Sequence, residues 1–184
     1  APDGKTIATG SADNSVRIWD AKTGDEILLI TNHSAAVNSV SFSPDGTQIA
    51  TGSSDKTIKL FDTSNGNEIV SQDILSEGAS VTFSSDGAFV FVAGYAGCIY
   101  KIKSSTGEIA ESYKAHDAAT YAIAVRPDGR SCLTGSWDKK IVQLRSESLN
   151  FERKFMDSRS VFNVAFSRDG NYFASVGEGG TTKI

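Results

Sequence analysis

The residues best suited to chemistry in this 184-residue chain form two sets of one pattern. His33 is followed 18 residues later by Thr51 and 22 later by Asp55, and His116 stands in the same relation to Thr134 and Asp138. An imidazole with a hydroxyl and a carboxylate is the composition of a nucleophile, its base and the acid that orients the base. Acyl transfer of that kind needs one exposed nucleophile, an oxyanion hole and a base aimed at it. A set that occurs twice at identical spacing suits a structural brace better than a single active site. Other chemistries lack their residues. The two histidines lie 83 residues apart and the two cysteines, Cys98 and Cys132, are unmatched, so no metal cluster of the usual spacing is expected. There is no GxxxxGK[ST] phosphate loop, and GEGG (177–180) reads as a turn between strands. No catalytic residue, cofactor or metal is predicted.

What must position these residues is a repeat. SFSPDG (41–46) returns as FSSDG (83–87), VRPDG (125–129) and FSRDG (166–170), and the chain opens on APDG. Proline presets φ at the first central turn position, Asp tolerates the second, and Gly takes the left-handed conformation that closes the bend. Apolar alternation in VNSVSF (37–42) before the turn and TQIATG (47–52) after it makes a β-hairpin. The Asp-Gly pairs begin at Asp3, Asp45, Asp86, Asp128 and Asp169, at intervals of 42, 41, 42 and 41. A fixed period of this size means one supersecondary unit stacked repeatedly, each burying its faces on its neighbours.

In the second unit, residues 37–42, 47–55, 57–62 and 68–74 read as four short strands of an antiparallel meander. No stretch sustains helical periodicity. The predicted fold is all-β, a β-propeller of four-stranded antiparallel blades. Its inner strands are expected near 37–42, 79–84, 121–126 and 162–167. A composition of 39% hydrophobic and 22% charged residues suits a globular core, and no apolar run nears the roughly 18 residues of a membrane helix. Two cysteines at different repeat phases argue against a disulfide and for a reducing, intracellular compartment, cytoplasmic or nuclear. Because Ala1 already lies within a hairpin turn, preceding chain is expected. Asn32-His33-Ser34 matches a glycosylation triplet of a kind that often arises by chance.

IATGSADNSVRIWD (7–20) and IATGSSDKTIKLFD (49–62), the first ending in Trp19-Asp20, resemble WD repeats. The resemblance spans the chain and is strongest in units one, two and four. It implies a hydrogen-bonded chain in each blade: a His before the inner strand, a Ser or Thr on the second strand, an Asp in the next turn and a Trp on the third strand. Unit one then contributes Thr9, Asp13 and Trp19. Unit two contributes His33, Thr51 and Asp55, with Phe61 in place of Trp, and unit four contributes His116, Thr134 and Asp138, with Leu144 there. Unit three has Ile74, Val92, Ala96 and Ile102 at these positions. Unit five keeps Ser175 but has Asp157 and Gly179 at the His and Asp positions. Those two units are expected to hold by apolar packing.

Residues 167–184 repeat the phase of residues 1–18. The resemblance therefore implies an arc of about 4.4 blades from a seven-bladed ring. Blade one (1–33) lacks its inner strand, blades two, three and four span 34–75, 76–116 and 117–158, and blade five (159–184) is incomplete. It implies a non-enzymatic platform that holds peptides or subunits of a multiprotein complex. The expected binding face carries the loops before the inner strands and the turns ending in Asp55 or Asp138. One repeat position on that face gives Asn38, Ala79, Tyr121 and Phe162, and another gives Ala12, Ser54, Tyr95, Trp137 and Glu178. Tyr95, Tyr121, Trp137 and Phe162, flanked by Glu77 and Glu178, are the candidate partner-binding residues. Rings beside carboxylates suit an apolar or basic side chain, and Arg can stack and ion-pair at once. Charge offers an alternative. Residues 1–113 carry 7 basic and 14 acidic side chains, net −7, whereas residues 114–168 carry 10 and 6, net +4. A sector of Arg126, Arg130, Lys139, Lys140, Arg145, Arg153 and Lys154 could serve a nucleic-acid-associated module.

Overall fold

The structure is a computed structural model that describes residues 1–178 and the backbone of Thr182–Lys183. Strands β1 (Thr6–Gly10), β2 (Val16–Asp20) and β3 (Glu26–Ile30) form a first, three-stranded sheet. The second is a meander of β4 (Val37–Phe42), β5 (Gln48–Ser53), β6 (Thr57–Asp62) and β7 (Glu68–Asp73). The third comprises β8 (Gly78–Phe83), β9 (Phe89–Gly94), β10 (Cys98–Lys103) and β11 (Ile109–Lys114). The fourth comprises β12 (Thr120–Val125), β13 (Ser131–Ser136), β14 (Lys140–Arg145) and β15 (Phe151–Met156). The last has β16 (Val161–Phe166), β17 (Phe173–Gly177) and β18 (Thr182–Lys183). Every pairing is antiparallel and no helix occurs among the described residues. These sheets are propeller blades, as the repeat predicts.

The recurring turn is built the same way five times. Gly4, Gly46, Gly87, Gly129 and Gly170 all sit at φ between 70° and 75°, where a side chain would be strained. Each glycine N–H donates to the residue three before it, at 2.8–3.1 Å. Each preceding Asp accepts the N–H two residues on, at Lys5, Thr47, Ala88, Arg130 and Asn171. The Asx bond and the left-handed glycine together reverse the chain.

The core lies between sheets. Val16 and Ile30 of the first meet Val37, Ile49 and Phe61 of the second. Leu60 and Val70 of the second meet Val81, Val92 and Ile102 of the third. Phe91 and Ile99 of the third pack with Val142 and Leu144 of the fourth, and Leu133 and Ile141 of the fourth with Val161 and Val164 of the last. Sheets buried on both faces need apolar residues at both phases of the strand, which is why β5, β9 and β13 are buried at almost every position.

Three inner strands start and stop one residue before their expected bounds: β8, β12 and β16 rather than 79–84, 121–126 and 162–167. The last expected residue of each, Ser84, Arg126 or Ser167, is the first of the turn, and its carbonyl accepts the glycine N–H. At the other end, every inner strand carries a bulge. The ladder skips from Val37 to Ser39, Gly78 to Ser80, Thr120 to Ala122 and Val161 to Asn163. The skipped residues are Asn38, Ala79, Tyr121 and Phe162.

Gly97 is the glycine least open to change. It has φ +80°, and a Cβ there would lie 2.3 Å from the His116 carbonyl oxygen and 2.8 Å from that of Ala118. Its own carbonyl accepts the N–H groups of Ala115 and His116, so this turn of the third sheet seats the loop that carries His116. Gly24 has φ +78° but open space around it. Gly24→Ala is expected to cost about 1–2 kcal/mol from backbone strain alone, and Gly97→Ala clearly more. Denaturant midpoints of the two variants check this, and equal losses would contradict it.

Candidate functional site

The two histidine sets are assembled as hydrogen-bonded chains. His33, in the loop after β3, places Nδ1 2.8 Å from Asp55 and Nε2 2.7 Å from the Thr51 hydroxyl. His116 repeats this with Asp138 at 3.1 Å and Thr134 at 2.8 Å. A carboxylate only accepts, so Nδ1–H is the donor and Nε2 receives the threonine proton. That single proton is shared with a strand carbonyl, of Lys59 at 3.1 Å or Val142 at 3.2 Å. Burial pushes both imidazoles below their ordinary pKa, against the opposing pull of Asp55 and Asp138. Burial by itself would raise the two aspartates, but donors outweigh it and hold both carboxyls below the usual range. For Asp55 these are Thr57, His33 and the Ser34 N–H. For Asp138 they are the N–H groups of Asp117 and Lys140 and the His116 ring. Thr51 and Thr134 are fully buried, so neither hydroxyl is placed to attack a substrate.

The other units hold their positions differently. In unit one the Trp19 indole donates to Thr9 at 2.9 Å, while Asp13 is taken by Ser15 and Arg17. Phe61 turns its ring edge-on to His33 at 6.3 Å, and Leu144 is buried in the core. Ile74, Val92 and Ile102 form part of one apolar cluster, whereas Ala96 is exposed. In the last unit Ser175 is buried and Asp157 caps its own loop through the Ser158 N–H. Gly179 and Gly180, at the end of the GEGG turn, lie outside the described residues.

The four candidate rings come together. Tyr121 lies at the centre, 5.5 Å from Tyr95, 6.0 Å from Trp137 and 5.6 Å from Phe162, and Trp137 is 6.0 Å from Phe162. Three of these contacts are edge-to-face, at 61° to 81°, as ring quadrupoles favour, and Tyr121–Trp137 is tilted at 46°. Trp137 is 51% exposed and Phe162 40%, so the cluster presents ring surface outward. One repeated backbone bond sets the height of the turns: Ser54, Tyr95, Trp137 and Glu178 each donate N–H to a carbonyl of the loop before the inner strand. The bulge aims Tyr121 and Phe162 at those turns, a common use of bulges near binding sites. In unit two the same two positions hold Asn38 and Ser54, joined at 3.1 Å. Glu77 accepts the Tyr95 N–H through its carbonyl, and burial, then Tyr121, then the Glu77 charge push the Tyr95 hydroxyl above its ordinary pKa. Glu178 lies 3.5 Å from the Ser160 hydroxyl. Thr57 escaped the sequence reading, although its hydroxyl meets Asp55 at 2.6 Å; a polar residue two positions after a turn Asp is the available signal.

Stacked four-stranded meanders braced by such His–Thr–Asp chains define a β-propeller of the WD type. The chain belongs to the WD40 family, described as WD domain, G-beta repeat, which matches residues 1–20, 24–62, 107–143 and 151–184. The unmatched stretch 63–106 contains most of the unit without a histidine set. Subunit I of eukaryotic translation initiation factor 3 from Rattus norvegicus is 28% identical over 176 residues, 90% of this chain and 54% of that protein. Periodic tryptophan protein 2 from Arabidopsis thaliana is 26% identical over 180 residues, 95% of this chain and 20% of that protein. The chain thus spans about half the length, or less, of these relatives.

Two outcomes follow from the braces. His116→Ala leaves Asp138 and Thr134 short of a partner and is expected to cost about 1–3 kcal/mol of stability. The pH dependence has a fixed sign. Because the folded imidazoles titrate below 6.5, the unfolded chain takes up protons first on acidification, and stability falls as pH drops below about 6.5. The aspartates, held below 3.8 when folded, stabilise above that value and lose their contribution only in stronger acid. Urea unfolding between pH 7.5 and 5.5 should show this decline, and His33→Gln with His116→Gln should flatten it.

Proposed function

We propose that this chain is a non-enzymatic scaffold whose ring cluster at Tyr95, Tyr121, Trp137 and Phe162 holds a partner protein within an intracellular assembly. The observation that carries the reading is the half-exposed Trp137 at the edge of a four-ring cluster drawn from three successive blades. Isolated exposed apolar residues are ordinary, but a contiguous aromatic patch on rigid elements is a recognition surface. The rat relative is by name one subunit of a larger factor, which agrees with a component role. Glu77, whose charge acts on the Tyr95 hydroxyl, and Glu178, at the same repeat position as Tyr95 and Trp137, suit an apolar or basic side chain, and Arg can stack on a ring and meet a carboxylate.

The alternative is a nucleic-acid-associated module working through the basic fourth blade. The geometry favours it less. Arg126 and Arg130 lie within 3.9 Å of Asp128, Lys140 is 2.6 Å from Asp117, and Arg145 is 3.7 Å from Glu152. Four of the seven basic residues of the sector thus already face carboxylates.

A displayed peptide library selected on this chain, then screened against Trp137→Ala, tests the proposal. The selected peptides should carry apolar or arginine anchors and lose about 2 kcal/mol or more of binding on the variant, whose melting temperature should be unchanged. Their affinity should vary little with salt, whereas phosphate binding weakens steeply. Peptides that bind Trp137→Ala equally well, or a tighter and salt-sensitive oligonucleotide complex, would overturn it.

A further inference from the structure

Between the third and fourth sheets, on the side of the Asp-Gly turns, lies a cavity of about 420 Å³. Two features of its wall break the repeat. Lys101 on β10 pairs with Phe91 of β9, the place taken by Ile18 opposite Ala8 and Leu60 opposite Ala50 in the first two blades and by Gln143 opposite Leu133 in the fourth. Ile18 and Leu60 are core residues, yet Lys101 is almost as buried, at 7% exposure. Its ammonium donates to the Glu147 carbonyl at 2.6 Å and lies over the Phe89 ring at 4.1 Å. No carboxylate among the described residues stands within ion-pairing distance of it. A charge buried where two other blades place Ile18 and Leu60 is costly without a carboxylate in contact.

Ser146 is the second departure. In the second and third blades its counterparts close the turn: Thr63 donates to the Gly46 carbonyl at 2.8 Å, and Ser104 to that of Gly87 at 2.7 Å. The corresponding carbonyl for Ser146 belongs to Gly129, but the Ser146 hydroxyl is buried with no partner. Buried hydroxyls are satisfied as a rule. One wall of the cavity thus combines an ammonium with no carboxylate in ion-pairing contact, only Asp86 within Coulombic reach, and a buried hydroxyl without an acceptor.

The mouth has the opposite character. Asp86, Asp128 and Glu147 line it. Asp86 is taken up by the Ser84 hydroxyl and the Ala88 N–H, and Asp128 by Arg126 and Arg130, so neither reaches these donors as an ion pair. A multiply charged anion would meet three carboxylates on entry, which disfavours phosphate and nucleic acid. A single carboxylate with cationic neighbours satisfies both levels at once.

We propose that this cavity receives one carboxylate side chain from a partner segment whose flanking residues are basic. The carboxylate accepts from the Lys101 ammonium and the Ser146 hydroxyl, and the flanking cations meet Asp86, Asp128 and Glu147. This site lies at the blade junction on the Asp-Gly turns and does not depend on the aromatic cluster.

The test uses the isotope-labelled chain and three capped tripeptides, Lys-Glu-Lys, Lys-Gln-Lys and Glu-Glu-Glu, followed by amide chemical shifts. Lys-Glu-Lys should give saturable shifts at Ser85–Ala88 and Ser146–Glu147, with the other two at least about tenfold weaker. Lys101→Met, which restores the apolar character of Ile18 and Leu60, should abolish these shifts while melting at the same or a higher temperature. Ser146→Ala should weaken them. Equal shifts from Lys-Gln-Lys, equal affinity for Glu-Glu-Glu, no shifts from any peptide, or unfolding of Lys101→Met would each overturn the proposal.

Discussion

The structure depends on sheets stacked face against face. A four-stranded meander of six-residue strands cannot bury both of its faces alone, and each of the four apolar clusters is shared between consecutive sheets. Stability is therefore a property of neighbours, as in other repeat proteins. The third blade shows that this packing suffices. With Ile74, Val92 and Ile102 in place of the histidine set, it is held by the largest cluster, built jointly with the second blade.

The polar chains act within that frame. Their work is to fix loops that packing cannot reach. Each histidine ties the loop before an inner strand to the next turn and to the second strand, through bonds 18 and 22 residues apart in sequence. Each turn also sends one N–H back to that loop. The rim is consequently rigid where it carries side chains. The bulge at the head of each inner strand then releases one residue per blade from the ladder. The same fixed position displays Asn38 in one blade and Tyr121 or Phe162 in others, so identical backbone supports different surface chemistry.

The two ends of the stack differ in what they offer. The histidine side presents aromatic surface, with Trp137 and Phe162 exposed. The Asp-Gly side is polar, and most of its acids are engaged in capping their own turns. At the junction of the third and fourth blades a core position and a turn hydroxyl, Lys101 and Ser146, depart together from the arrangement of the second blade.

Period and turn chemistry were legible in the chain itself. An Asp-Gly pair every 41 or 42 residues specifies the left-handed glycine and its Asx bond locally, so neither needs the rest of the fold. Alternation of apolar residues specifies the strands for the same reason. The partners of His33 and His116 were legible too, because equal spacing in two units places equal residues at equal points of one repeat. Three things needed the tertiary structure. The bulges at Asn38, Ala79, Tyr121 and Phe162 arise from how an inner strand meets its neighbour, and no local residue type encodes them. Repeat position puts Tyr95, Tyr121, Trp137 and Phe162 on one face, but their ring-to-ring contact spans 67 residues and depends on the angle between successive blades. The burial of Lys101 beside Ser146 was invisible because a lysine on a strand reads as solvent-facing until the next sheet is laid over it.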